Sequence, residues 1–347
     1  MGLPRKSKII SFLLIISLCF TVSGNYSYAG MQHKTVTICG FPIGLKLEGD
    51  GVTVTGFMSS SGRETGLKIG DRIIAINGSK VRNCSDLQEL VNKKEQDYIN
   101  VEIIPLEKKQ SEIIKIFPSY DSMSHSYRLG VWVKDTVAGI GTMTFFDNEE
   151  GCFAALGHAI SDNGCVYEIS GGSLQEVTIF DIEKSLAGRP GELKGYFSDV
   201  NTQIGEIKLN SNCGLYGFLD ISKIEDFSLM KAEIGNKNDV HTGTAYLITS
   251  LGEENIKQYE IKITSINKVK GDGTKALSIC VTDNELIEKT GGIVQGMSGS
   301  PIMQDGKLIG AVTHVLIEDP TKGYGIFAEN MLNTVDQISN KELKKAS

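Results

Sequence analysis

At 347 residues the chain is long enough for about two domains of ~100–200 residues each. Its 35 lysines and arginines stand against 42 acids, a formal charge of −7, and an acidic body without a basic run excludes nucleic acid as an expected partner. Hydrophobic content of 40% with only 7 prolines fits a folded, core-forming chain, and 39 glycines, well above the usual ~7% share, point to the tight turns of a β-rich fold.

At the N-terminus, Arg5, Lys6 and Lys8 precede an apolar run over residues 9–23, and small residues follow at Ser27-Tyr28-Ala29. A basic flank, a short apolar stretch and a small-residue end read as an export signal over residues 1–30. The run is shorter than the ~20 residues of a comfortable span, although kept uncleaved it would hold the chain at a membrane surface. The body is then expected beyond a membrane. Cysteines stand at 19, 39, 84, 152, 165, 213 and 280, with no CxxC pair and no His/Cys cluster at ligand spacing. No metal or other cofactor is therefore expected. Cys152 and Cys165 could pair, and scattered free thiols are the plainer reading.

Residues 34–104 alternate short strands with one helix. Lys34–Ile38 and Gly51–Thr55 read as strands, Gly70-Asp71 as a turn, Ile73–Ile76 as a buried strand and Asn77-Gly78 as a hairpin turn. Ser85 with Gln88 makes a capping box, Leu87, Leu90 and Val91 give the helix an apolar stripe, and Tyr98–Ile104 closes the unit. This order, with GLKIGDRIIAING at its centre, resembles a PDZ domain, expected over residues 31–104. The resemblance implies a peptide strand added to the sheet edge beside the helix, its carboxylate held by backbone N–H groups. The matching loop is Phe41–Leu45; Pro42 has no N–H, which leaves Ile43, Gly44 and Leu45 as donors.

A polar connection runs from Leu106 to about Ser124, with Ile113, Ile114 and Ile116 as an edge strand. Beyond it the sequence shows many short Gly-punctuated strands, among them Gly130–Val133, Gly141–Phe146, Cys152–Leu156 and Lys307–Val315, and almost no helical pattern. That density suggests a sandwich or barrel. The strongest chemical signal is Gly296-Met297-Ser298-Gly299-Ser300-Pro301. Glycines on both sides of Ser298 allow a sharp turn that exposes the hydroxyl and frees the N–H groups of Gly296 and Ser298 to meet an oxyanion.

A serine hydroxyl is a weak nucleophile until a neutral imidazole takes its proton. Of the histidines at 33, 125, 158, 241 and 314, His158 is the favoured base, because it stands among small residues at a strand end. His33 falls outside the second domain, His125 and His241 lie in polar loops, and His314 reads as a pocket wall or core group. For the group that orients the base, Asp283 and Asp162 both remain candidates. Asp283 closes the strand Ala276–Val281, whereas Asp162 is close enough in sequence to cap its own backbone instead.

GIGTMTF (139–145), ALGHAISD (155–162), IVQGMSGSP (293–301) and GAVTHV (310–315), behind a signal and a PDZ-like unit, are similar to the SpoIVB serine peptidases of stage IV sporulation. The resemblance implies a mainly β chain: a PDZ domain (α+β), then a chymotrypsin-like, double-barrel peptidase domain over residues 105–347. Its catalytic residues fall on His158, Asp283 and Ser298, with Gly296 and Ser298 as oxyanion donors. It implies export across the forespore inner membrane into the intermembrane space. There the family cleaves itself and the regulatory subunit of an intramembrane pro-sigma processing complex, which releases the late mother-cell sigma factor. Met297 departs from chymotrypsin, whose aspartate at this place pairs with a freshly cut N-terminus, so activation by that insertion is not open here. Two alternatives stand beside this reading: an idle PDZ scaffold and a general envelope quality-control protease.

Overall fold

The computed structural model describes residues 34–346, apart from 59, 109, 163, 198–202, 225–228, 253–255 and 269–272. The expected signal over 1–30 and His33 lie outside the described residues. From Thr35 onward the chain forms one compact unit.

After a short strand at Thr35–Ile38 come β1 (Pro42–Phe57), β2 (Arg72–Ile76), α1 (Cys84–Asn92), β3 (Ile99–Ile104) and β4 (Glu112–Ile116), these four strands pairing antiparallel in that order. Leu87 and Val91 of α1 are buried in a core with Val52, Val54, Ile73, Ile99 and Val101. The helix begins earlier than the Ser85 capping box predicts. Asn83 is the cap and accepts from Asp86 N at 2.8 Å, while the Asp86 carboxylate returns to Arg82 N at 3.1 Å.

Next come β5 (Val131–Phe146), β6 (Cys152–Ala155), β7 (Ile169–Gln175), β8 (Val177–Glu183), β9 (Glu192–Phe197), β10 (Gln203–Ser211) and β11 (Gly214–Leu219). Pairings run β5–β6–β11–β10–β7–β1 and back to β5, so six strands close on themselves. Ile43, Leu45, Leu47, Met143, Phe153, Leu174, Ile207 and Leu215 fill this first barrel. Barrel closure removes unpaired edges. Strand β1 serves two cores: its first half lines the barrel and its second half, from Val52, lies in the PDZ-like core. The segments 130–133 and 141–146 are parts of one strand, β5. Gly141 does not interrupt it; a Cβ there would meet Leu156 Cδ2 at 2.1 Å, so the glycine lets the next loop pack closely.

A second closed barrel follows: β12 (Gly243–Thr249), β13 (Lys257–Ile266), β14 (Leu277–Val281), α2 (Asn284–Thr290), β15 (Pro301–Gln304), β16 (Lys307–Val315) and β17 (Lys322–Phe327), in the order β12-β13-β14-β17-β16-β15. The chain continues into α3 (Ala328–Ala346), a 19-residue helix not anticipated from the sequence. Ala328, Met331, Leu332, Val335 and Ile338, at helical spacing, are buried against Ile38, Phe145, Tyr216 and Ala311. The fold is mainly β, with two barrels and a PDZ-like unit. Among the described residues no disulfide forms, and Cys152 and Cys165 do not pair.

Candidate active site

The segment carrying Ser298 lies against the first barrel. Thr142 N donates to Ser298 O at 2.9 Å, Thr142 Oγ1 to Gly296 O at 2.7 Å and Thr144 Oγ1 to Gly299 O at 2.7 Å. Both threonines are buried. Each is an inward polar group satisfied by the serine-bearing turn, and losing such a buried bond costs about 1–3 kcal/mol. These are functional residues that the sequence reading missed: GIGTMTF carries its threonines at i and i+2, on one face of β5, where apolar side chains are the norm.

Gly296 at φ +98° and Gly299 at φ +97° hold the turn around Ser298. Among the described residues the amides of Gly296 and Ser298 find no protein acceptor, whereas Met297 N donates to Val294 O and Gly299 N to Val312 O. The two amides named for an oxyanion are thus not consumed by the fold. Met297 is fully buried in the second barrel's core, and its Sδ accepts from Val294 N at 3.5 Å. That is packing, in the place where chymotrypsin keeps a buried charge. Ser298 is half-buried, and its hydroxyl donates to Thr313 O at 2.9 Å.

His158 arrives from the other barrel. After β6 the chain turns through two left-handed residues, Leu156 at φ +67° and Gly157 at φ +71°. A leucine in that region is strained, and burial of its side chain in the first barrel's core holds it there. A Cβ on Gly157 would meet Thr313 Cγ2 at 3.1 Å and Val312 O at 3.5 Å, so the turn lies on β16 beside the carbonyl that receives the Ser298 hydroxyl. The His158 ring packs on His314, with centroids 5.0 Å apart and planes at 36°. Its Nδ1 bonds to Ala159 O at 2.9 Å. A carbonyl only accepts, so Nδ1 carries the proton and Nε2 keeps the lone pair a base needs.

Burial pushes the His158 pKa below the ordinary histidine value, with the Ala159 bond opposing it. The ring therefore stays neutral as pH falls to ~6.5, the unperturbed value. The acid limb of a kcat/KM–pH profile is expected below that value, and a limb at or above it contradicts a desolvated base.

Neither aspartate candidate reaches this ring. Asp283 is the N-cap of α2: Oδ1 accepts from Leu286 N at 3.0 Å and Oδ2 from Glu260 N at 3.4 Å. It ends β14, and β17 lies between β14 and the β16 strand of His314. The structure thus corrects Asp283 from an imidazole partner to a helix cap that ties α2 to β13. Asp162 pairs with Lys134 Nζ at 3.0 Å.

The PDZ loop is also corrected. Ile43, Gly44 and Leu45 are strand residues of β1, opposite Gly141, Ile140 and Gly139 of β5, and Gly44 and Leu45 also pair with Gln175 and Leu174 of β7. Residues flanked by strands on both sides cannot cradle a carboxylate. On the PDZ-like part of β1, Thr53, Val54, Gly56 and Phe57 pair with Lys134, Val133, Trp132 and Val131, so the chain's own β5 covers that edge.

Beside Gly296 opens a cleft of about 520 Å³ lined by Gly139, Ile140, Phe180, Leu193 and Gly195. Glu192, Lys194 and Gln295 line it as well, so its walls are mixed polar and apolar; it lies close to the serine turn, a fit for a substrate side chain.

A serine in a glycine-bracketed turn on one β-barrel, set on the same strand as the turn of a histidine from another, is the framework of a serine peptidase. A family model described as SpoIVB peptidase S55 matches residues 125–332, and the chain belongs to that family. A PDZ domain model matches residues 32–104. No curated protein matches the sequence. Solved structures similar to parts of the chain include the PDZ domain of the SdrC-like protein from Listeria monocytogenes, 18% identical over 24% of this chain and 87% of that one, TM-score 0.22. The inactive form of the Rv3671c protease is 12% identical over 57% of this chain and 84% of that one, TM-score 0.30. A mutant of Rv3671c from M. tuberculosis H37Rv, also inactive, is 11% identical over 57% and 82%, TM-score 0.29.

Proposed function

We propose that this serine peptidase is an exported endopeptidase of endospore development that works by acyl transfer from Ser298. It cleaves itself and a regulatory membrane protein in the forespore intermembrane space, and so starts intramembrane processing of the late mother-cell pro-sigma factor. The observation that supports the chemistry is that the Ser298 hydroxyl and the turn carrying His158 both lie on Thr313 of β16, beside the uncommitted amides of Gly296 and Ser298. Family membership and the basic, apolar N-terminus support the setting.

In the reaction the Ser298 hydroxyl turns from Thr313 O toward His158 Nε2, which takes its proton as Oγ attacks the scissile carbonyl. The oxyanion lies against the two amides, the imidazolium protonates the leaving amine, and water resolves the acyl-enzyme by the same route. The substrate is an extended peptide with one side chain in the cleft beside Gly296.

Gly139 tests the cleft, since a Cβ there meets nothing within 4 Å. Gly139→Val suits a strand and projects into the open space, so KM is expected to rise about tenfold, the loss of ~1.4 kcal/mol of binding, with kcat and melting temperature little changed. An unchanged KM places the substrate side chain elsewhere. The biological setting is tested in a spore-forming host lacking its own copy. A wild-type gene is expected to restore mature sigma factor, and normal sigma processing without any copy rejects the sporulation role. Unselective cleavage of unfolded envelope proteins favours quality control instead.

A further inference from the structure

Building on the reading of Ser298 and His158 as nucleophile and base, we propose that His314 is a residue that positions the His158 ring by packing on its face. A general base must keep its lone pair aimed at the nucleophile, and an imidazole at the end of a turn needs two restraints to do so. The first is the Nδ1–H bond to Ala159 O, which fixes the tautomer and one edge of the ring. That acceptor belongs to the next residue in the chain, so it moves with the turn and leaves rotation about the bond open. The second restraint is the His314 ring, 5.0 Å away and inclined at 36°, which blocks the face toward which the imidazole would roll.

His314 is well placed for this task. It lies on β16, within the closed second barrel, and faces Tyr324 of β17 in the ladder. The residue before it, Thr313, is buried and anchored through Oγ1 to Thr274 O. The glycine before His158 packs on Thr313 and Val312, so two consecutive residues of the base's turn rest on three consecutive residues of β16. Thr313 also supplies the carbonyl that holds the Ser298 hydroxyl. One strand thus sets both the resting direction of the nucleophile and the tilt of the base. Both sequence-level aspartate candidates are engaged elsewhere, Asp283 as a helix cap and Asp162 with Lys134.

The experiment measures the rate at which a fluorophosphonate labels Ser298 in the wild-type protein and in His314→Ala, His314→Gln and His314→Phe. Melting temperatures and the kcat/KM split on an apolar peptide ester are measured in parallel. If a flat ring is the restraint, Ala and Gln slow labelling about 10–100-fold through kcat with KM unchanged, and Phe stays within about threefold of wild type. Wild-type labelling in the Ala variant, or a Phe variant as slow as Ala, overturns the proposal, as does a Gln variant at the wild-type rate. A variant that melts early is judged against Phe, which keeps the packing. Failure of the underlying reading is distinct: the wild-type protein then shows no adduct at Ser298, and the proposal falls with it.

Discussion

Ser298→Ala is expected to end proteolysis, with a loss in kcat on the order of 10⁶-fold, as when the nucleophile of a serine peptidase acting in concert with its base is removed. The fold should survive. Ser298 Oγ makes one hydrogen bond, to Thr313 O, and forfeiting it costs about 1 kcal/mol. Thr142 and Thr144 grip the turn through backbone carbonyls that alanine retains. No neighbour can stand in: Ser300 is fully buried, with its hydroxyl bonded to Thr249 Oγ1. The measurement pairs self-cleavage on a gel with a thermal melt. Loss of processing with an unchanged melting temperature is the expected pair, and processing at the wild-type rate would rule out Ser298 as nucleophile. The PDZ-like unit has its own core around Val52, Ile73 and Leu87, so its fold should persist in the variant.

What the sequence made legible is chemistry written locally. Ser298 sits between two glycines, and positive φ at Gly296 and Gly299 is what those glycines serve. His158 follows an apolar strand and a glycine, and the turn it occupies needs that glycine's left-handed backbone. Relations across the fold were harder to read. Fifteen residues separate Asp283 from Ser298, but a spacing along the chain does not reveal that β17 inserts between their barrel neighbours β14 and β16. Asp283 instead shows the local pattern of a cap, an acid just before a helix opening at Asn284. The PDZ resemblance places a loop at Phe41–Leu45, while the alternation of Ile43, Leu45 and Leu47 marks the strand that forms. The α3 helix is not anticipated, although Met331, Val335 and Ile338 carry its spacing.

Gly299→Ala is expected to damage stability and catalysis together. Gly299 has φ +97°, a backbone state costing an alanine about 1–3 kcal/mol. The added Cβ would also lie 2.1 Å from Thr142 O and 2.5 Å from Leu156 N. Both are backbone atoms of different elements, β5 and the His158 turn, so neither can swing aside as a side-chain end would. Overpacking of this kind costs about 1–3 kcal/mol more, a total of roughly 2–6 kcal/mol. Relief requires parting the serine turn from the histidine turn, and displacement near 1 Å removes about 10²-fold in rate. Gly306→Ala is the control: its φ is +76°, and nothing lies within 4 Å of the new Cβ. It bears only the left-handed backbone penalty, about 1–2 kcal/mol. Thermal melts and phosphonate labelling of both variants decide the matter. Equal losses would mean that backbone strain, rather than contact between the two barrels at Gly299, holds the nucleophile to the base.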